Sequence, residues 1–143
     1  QMKAWLVVER YENWQIDKEQ GFRQIGFALR NKETVYGIQK GNKLVVYVAS
    51  RKSSLAAIHE VVSEKPYISN EIIWDEIFPV RVNIQPEIIL DEARFIPIKE
   101  LISKLTFTQS KRDWRQCFRA PVRQLADPDY QIIRAAMLSS DTA

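Results

Sequence analysis

The sequence predicts an α+β domain, a small, mostly antiparallel β-barrel with helices at its edges. Three observations carry this. Val- and Ile-rich runs of strand length recur at 4–9, 43–49, 55–63 and 79–84, each bounded by turn residues. Tight turns join consecutive runs, which favours antiparallel pairing. Helical spacing is confined to segments between the strands and to the end of the chain. With 143 residues, 45% hydrophobic and 27% charged, the chain has the size and composition of one domain that buries a core without metal or disulfide.

Taken in order, Ala4–Glu9 (AWLVVE) reads as a buried first strand, with Trp5 in the core. Asn13 reads as the N-cap of a helix that turns Ile16 inward and ends at Gly21. The residues around Gly26-Phe27-Ala28 form a short second strand. Lys40-Gly41-Asn42 is a turn that launches residues 43–49 (KLVVYVA), and the polar loop 50–54 returns the chain as an antiparallel partner over 55–63. Residues 65–77 are rich in turn formers. In 79–84 (PVRVNI) the alternation puts Val80, Val82 and Ile84 on one face, and 87–90 extends the strand. Pro97 opens a helix with Ile98, Leu101, Ile102 and Leu105 on its buried side. Asp127-Pro128 caps and starts a last helix that buries Ile132, Ile133, Ala136 and Met137. A single domain is expected over 1–138, with 139–143 a polar, frayed tail or the start of a linker.

Charge is unevenly placed. Residues 1–102 hold 14 basic and 14 acidic side chains, whereas 103–124 hold Lys104, Lys111, Arg112, Arg115, Arg119 and Arg123 against Asp113 alone. Such a stretch is either the footprint of a polyanionic partner or a well-solvated basic loop. No apolar run approaches a membrane span, and no secretory signal opens the chain, so a cytoplasmic domain without membrane partners is expected.

The catalytic inventory is thin. The four glycines (Gly21, Gly26, Gly37, Gly41) form no phosphate-cradling loop. His59 and Cys117 are the single histidine and cysteine, which excludes ordinary zinc sites and leaves no local support for a Cys–His pair. His59 sits in a strand and is expected to be structural and hydrogen-bonded. Asp75/Glu76 and Asp91/Glu92 lie in polar connections where solvation is the default. We expect no enzyme, no metal and no cofactor. The aromatic residues are more informative. Trp14 is either a helix-docking residue or a pocket wall. Trp74 stands in a polar loop where burial is not automatic. Trp114 sits among Lys111, Arg112 and Arg115, a mixture that either packs its loop or stacks on bases while the cations meet phosphates.

One set of segments, in order, resembles the EVE domain. It comprises Trp5-Leu6-Val7-Val8, Glu12-Asn13-Trp14, Gly26-Phe27 and Lys40-Gly41-Asn42-Lys43-Leu44-Val45-Val46-Tyr47. It continues with Ile58-His59-Glu60-Val61-Val62-Ser63-Glu64, Pro79-Val80-Arg81-Val82 and Leu101-Ile102-Ser103-Lys104-Leu105-Thr106-Phe107. Asp113-Trp114-Arg115-Gln116-Cys117-Phe118 and Asp127-Pro128-Asp129-Tyr130 close it. The similarity spans 4–138. EVE domains are PUA-like barrels related to the YTH readers of N6-methyladenine. The resemblance implies a non-catalytic reader that holds a flipped, modified base in an aromatic pocket. Asn13 matches the asparagine that contacts the base edge, and Trp74 matches a cage tryptophan. Ala28 stands where the YTH pattern has its other cage tryptophan, which leaves Trp14, Tyr47 or Trp114 to supply a second ring. Backbone contacts fall to Arg51, Lys52, Lys111, Arg112, Arg115 and Arg119. Gln1 ahead of Met2 reads as an addition before the natural start, and the polar end suggests further domains C-terminal in a longer parent chain. That favours DNA over RNA, as in the recognition domain of an McrB-type, modification-dependent restriction protein. A reader of modified RNA and a protein-interaction module are the alternatives; the module expects Trp14 and Trp74 to be buried, whereas a reader expects Trp74→Ala to leave the thermal midpoint nearly unchanged while selectivity is lost.

Overall fold

The computed structural model describes residues 2–142. Eight strands form one mixed sheet: β1 (Ala4–Glu9), β2 (Gln24–Phe27), β3 (Lys43–Val48), β4 (Ser54–Val61), β5 (Tyr67–Ile68), β6 (Val80–Ile89), β7 (Ile96–Pro97) and β8 (Val122–Leu125). The main order is β2-β6-β4-β3-β1-β8, with β5 added to β6 and β7 to β4. The sheet curls into a half-barrel accompanied by three helices, α1 (Tyr11–Glu19), α2 (Lys32–Val35) and α3 (Asp127–Asp141). Every pairing is antiparallel except β1–β3. That pair is parallel because a crossover carrying α1, β2 and α2 intervenes. Register shifts between Val46 and Tyr47 on β3 and between Ile58 and His59 on β4 bend the ladder where it curls. The core lies inside the curl, built from Leu6, Val45, Ile58, Val80 and Val82, and α3 closes it with Tyr130, Ile133 and Met137. No helix among the described residues is long and apolar enough to cross a membrane.

The structure departs from the sequence expectations in three elements. Asn13 is not an N-cap: α1 already begins at Tyr11, whose N–H donates to Ser50 Oγ at 2.7 Å across the β3–β4 loop. That bond satisfies one of the free N–H groups of the first turn from outside the helix. Residues 97–105 form no α-helix. A 3₁₀ turn over Ile98–Glu100 runs into successive turns, and Ile98, Leu101 and Leu105 still face the core. The buried carboxylate of Asp129 on α3 accepts the Thr106 N–H at 2.8 Å and ties the last of these turns to α3. The expected frayed tail is helical through Asp141, held by Ser140 Oγ donating to the Arg94 carbonyl at 2.6 Å and Arg94 Nη1 donating to the Asp141 carbonyl at 2.9 Å. Asp127 is accordingly the first residue of α3 rather than its cap, with Pro128 in the first turn. Gln1 and Ala143 lie outside the described residues.

His59 corrects a fourth expectation. It is fully buried beneath Phe22, and neither ring nitrogen has a hydrogen-bond partner among the described residues. Burial alone lowers its pKa from 6.5 to about 4. In this window the unfolded chain binds the proton and the folded one does not, so this group lowers stability as pH falls from about 6.5 to about 4. Replacing His59 with leucine removes two unpaired polar atoms at similar volume. It is expected to stabilise the fold by about 1–3 kcal/mol and to flatten the acid side of the melting profile. A variant that melts no higher than wild type, with the same acid slope, would refute this.

Candidate functional site

A cleft of about 330 Å³ opens between the C-terminal end of β1, α1, β2 and the loop that precedes β6. Glu9 and Arg10 from β1 and its exit, Asn13 from α1, Gly26 and Phe27 from β2, and Ala28 just beyond it line the cleft. Trp74, Glu76 and Phe78 come from the loop, and Arg30, Asn31, Arg119 and Pro121 complete it. Three arginines thus border an aromatic-walled depression. Arg10 reaches across its mouth to Glu76 at 3.5 Å.

Trp74 forms the inner wall, and several groups fix it. It is 4% exposed, and its Nε1–H donates to the buried Asp17 carboxylate at 2.7 Å. Its six-membered ring lies over Gly26: a methyl group there would come within 2.5 Å of Cζ3, so only glycine lets the ring approach the strand. Phe78 meets it edge-on at 5.8 Å and the Arg81 guanidinium lies 5.2 Å from its ring centre. Arg81 is 2% exposed and ties the loop together. Its Nε donates to the Phe78 carbonyl at 3.0 Å and its Nη1 to Ser69 Oγ at 3.2 Å and Gln24 Oε1 at 3.3 Å, while Nη2 donates to the Glu71 carbonyl. The strand alternation points Arg81 away from the barrel interior, and the loop folds over it.

An acid pair runs from the cleft lining into the interior: Glu9 lines the cleft, and the buried Asp17 lies behind it. Glu9 Oε2 and Asp17 Oδ2 are sealed from solvent with no hydrogen-bond partner among the described residues, and the two carboxyl groups stand close enough for a proton on either to bond the other. Burial first, then the charge of Asp17 and this bond, raise Glu9 well above the usual carboxylate range. Burial also raises Asp17, to about 6, although the bonds from Glu9 and Trp74 favour its ionised form.

The sequence-predicted residues divide. Asn13 and Trp74 line the cleft, and so does Arg119, expected as a backbone contact. The other three aromatic candidates do not. Trp14 is buried against Phe22 and Phe95, at 5.0 and 5.5 Å. Tyr47 packs on Phe118 at 4.4 Å. Trp114 is half-buried, edge-on to Phe118 at 6.1 Å with Arg115 over its ring at 4.5 Å. Lys111, Arg112 and Arg115 are exposed, in the stretch that reaches the cleft at Arg119. Arg51 and Lys52 instead flank Tyr11, with centroid distances of 5.6 and 5.2 Å, and pair with Glu12 at 3.4 Å and Glu92 at 3.0 Å. Glu9, Gly26, Phe78, Arg30 and Arg81 were not anticipated as site residues. The one legible signal was a carboxylate closing the otherwise apolar β1.

Comparison with known proteins places this architecture. No protein-family model matches the sequence. The UPF0310 protein PH1033 of Pyrococcus horikoshii is 31% identical over 152 residues, covering 96% of this chain and 100% of the relative. The chain belongs to the UPF0310 family. Among solved structures, human THYN1 in complex with DNA containing 5-methylcytosine superposes on this UPF0310 chain with a TM-score of 0.64 at 15% identity, covering 93% of this chain and 96% of that one. The YTH domain of Mmi1 in complex with RNA gives 0.66 at 10% identity, covering 98% and 80%. The fold of this UPF0310 chain is accordingly the α+β PUA/YTH-like fold.

Proposed function

We propose that the chain is a non-catalytic reader of the EVE type, taking a modified, extruded nucleobase of DNA into the cleft beside Trp74. The observation that carries this is the cleft itself. Its wall is a tryptophan held by Gly26, Asp17, Phe78 and Arg81, Asn13 faces the interior, and Arg10, Arg30 and Arg119 stand at its edge. Extracting a base costs a few kcal/mol, and stacking on one aromatic ring returns about 1–3 kcal/mol. A single methyl adds only about 1–3 kcal/mol, so selectivity needs a polar partner, the role given to Asn13. The fold shared with a protein solved on 5-methylcytosine DNA supports the reading. DNA is preferred, with a role as specificity domain of a modification-dependent restriction system. That role, as in an McrB-type protein, is one of the two that the EVE resemblance allows. Modified RNA is the second reading, favoured by the fold shared with an RNA-bound YTH domain.

The test is fluorescence anisotropy over matched oligonucleotides carrying unmodified bases, 5-methylcytosine, 5-hydroxymethylcytosine or N6-methyladenine, as DNA and as RNA. A preference of tenfold or more, about 1.4 kcal/mol, for one modified member is expected. Uniform, salt-sensitive binding would move the protein-interaction module ahead.

Backbone contacts are assigned to Lys111, Arg112, Arg115 and Arg119, with Arg51 and Lys52 on the Tyr11 side. Neutralising Arg112 and Arg115 together is expected to weaken modified and unmodified oligonucleotides alike and to reduce the slope of log affinity against log salt by about 2. An unchanged slope would remove this stretch from the binding surface.

A further inference from the structure

We propose that Glu9 determines which class of base the cleft accepts: its Oε1, the oxygen not sealed off beside Asp17, reads an exocyclic amino group. The inference rests on the reading above and goes beyond it by naming a residue and a base chemistry. Glu9 lines the cleft, and its Oε2 is closed off from solvent against Asp17. Asp17 is 2% exposed, and its other oxygen is already occupied by the Trp74 N–H. A proton held between the two sealed oxygens pairs both of them, whichever carboxyl carries it. Such a proton lies on the Oε2 side, and Oε1 is left as an acceptor toward the cleft in either case.

A lone acceptor in a partly desolvated cleft pairs with the amino group of cytosine or adenine, the contact by which carboxylates read cytosine N4. It faces the keto oxygen of thymine, uracil or hypoxanthine as a second acceptor, and a polar mismatch of this kind is rejected far more strongly than a missing methyl. The same tryptophan that stacks on the base orients this reader, because Trp74 and Glu9 share Asp17.

The test compares isosteric bases in one single-stranded context: 5-methylcytosine against thymine, and adenine against hypoxanthine. These pairs differ at the amino or keto position and its neighbouring ring nitrogen while keeping the ring and any methyl. Wild type is expected to prefer the amino member by at least about tenfold in the pair it binds. Glu9→Gln keeps an N–H for Asp17 and an outward oxygen, so it should retain that ratio within about threefold. Glu9→Leu should bring the ratio close to one while thermal melts confirm that the domain is folded. Equal binding of amino and keto members by wild type overturns the assignment, and so does an undiminished ratio in Glu9→Leu. If wild type prefers no modified oligonucleotide over its unmodified counterpart, the reader function itself fails. Preference for 5-methylcytosine over cytosine without discrimination against thymine defeats the role of Glu9 alone.

Discussion

Replacing Trp74 with alanine is expected to cost about 3–5 kcal/mol of stability and to abolish preference for a modified base. The side chain is almost fully buried, and truncation removes its packing on Gly26 and Phe78 at once. It also strips Asp17 of the indole donor at 2.7 Å, leaving a buried carboxylate with one partner fewer. The burial of Trp74 and Trp14 is what the protein-interaction module expects, and it overturns the expectation that Trp74→Ala leaves the melt unchanged; stability and recognition fall together in this variant, so a binding loss alone does not locate the base. Trp74→Phe separates them. It keeps a ring for stacking but has no N–H for Asp17, so it should retain more of the base preference than alanine while still melting below wild type. The check is a thermal melt paired with anisotropy on modified and unmodified oligonucleotides for both variants. If Trp74→Ala folds as stably as wild type, the packing described for this wall is wrong. If it stays folded and still discriminates, the base does not sit there.

The second large effect is expected at Arg81. Its guanidinium serves Phe78, Ser69, Glu71 and Gln24 and lies over the Trp74 ring, so one buried side chain organises the whole loop. Lysine keeps the charge but not the planar fork of five donors. Arg81→Lys is expected to lose about 2–4 kcal/mol, the range for breaking buried, charge-assisted bonds. It should release the amides of residues 70–78 to faster hydrogen exchange and weaken modified-base binding by tenfold or more, with protection of β1, β3 and β4 kept. Exchange rates unchanged in 70–78 would show that the loop holds itself without Arg81.

How much of this was legible in the sequence varies with how local the cause is. The buried strands announced themselves: β1, β3 and β4 are continuous apolar runs, and the alternation in β6 shows which side chains enter the core. The segment 97–105 did not. Residues at i, i+3 and i+7 face one side in successive 3₁₀ turns much as in an α-helix, and the group that helps choose between them, Asp129, is distant in sequence. In the same way Asn13 has a capping residue's chemistry, but Ser50 on another element meets the first turn of α1 instead.

For the site, Asn13, Trp74 and Arg119 were reached through a family resemblance and the basic stretch, and all three line the cleft. Trp14, Tyr47 and Trp114 were candidates because they are aromatic. What decides their role is the neighbouring ring, Phe22, Phe95 or Phe118, and sequence spacing carries no trace of those contacts. Arg81 was hidden for the opposite reason. Alternation makes it an outward residue, and its burial comes from a loop folded over the sheet rather than from the strand. The raised pKa values of Glu9 and Asp17 come from burial that only tertiary structure creates.

The most direct test follows the four indole N–H resonances by NMR during titration with the modified oligonucleotide that binds best. The signal of Trp74, which lines the cleft and donates to the buried Asp17, should shift strongly with the modified strand and little with its unmodified counterpart. Trp5 and Trp14, buried elsewhere, should stay in place. Shifts confined to Trp114 and the amides of 111–123, identical for both strands, would contradict a base in the cleft and leave only an electrostatic surface.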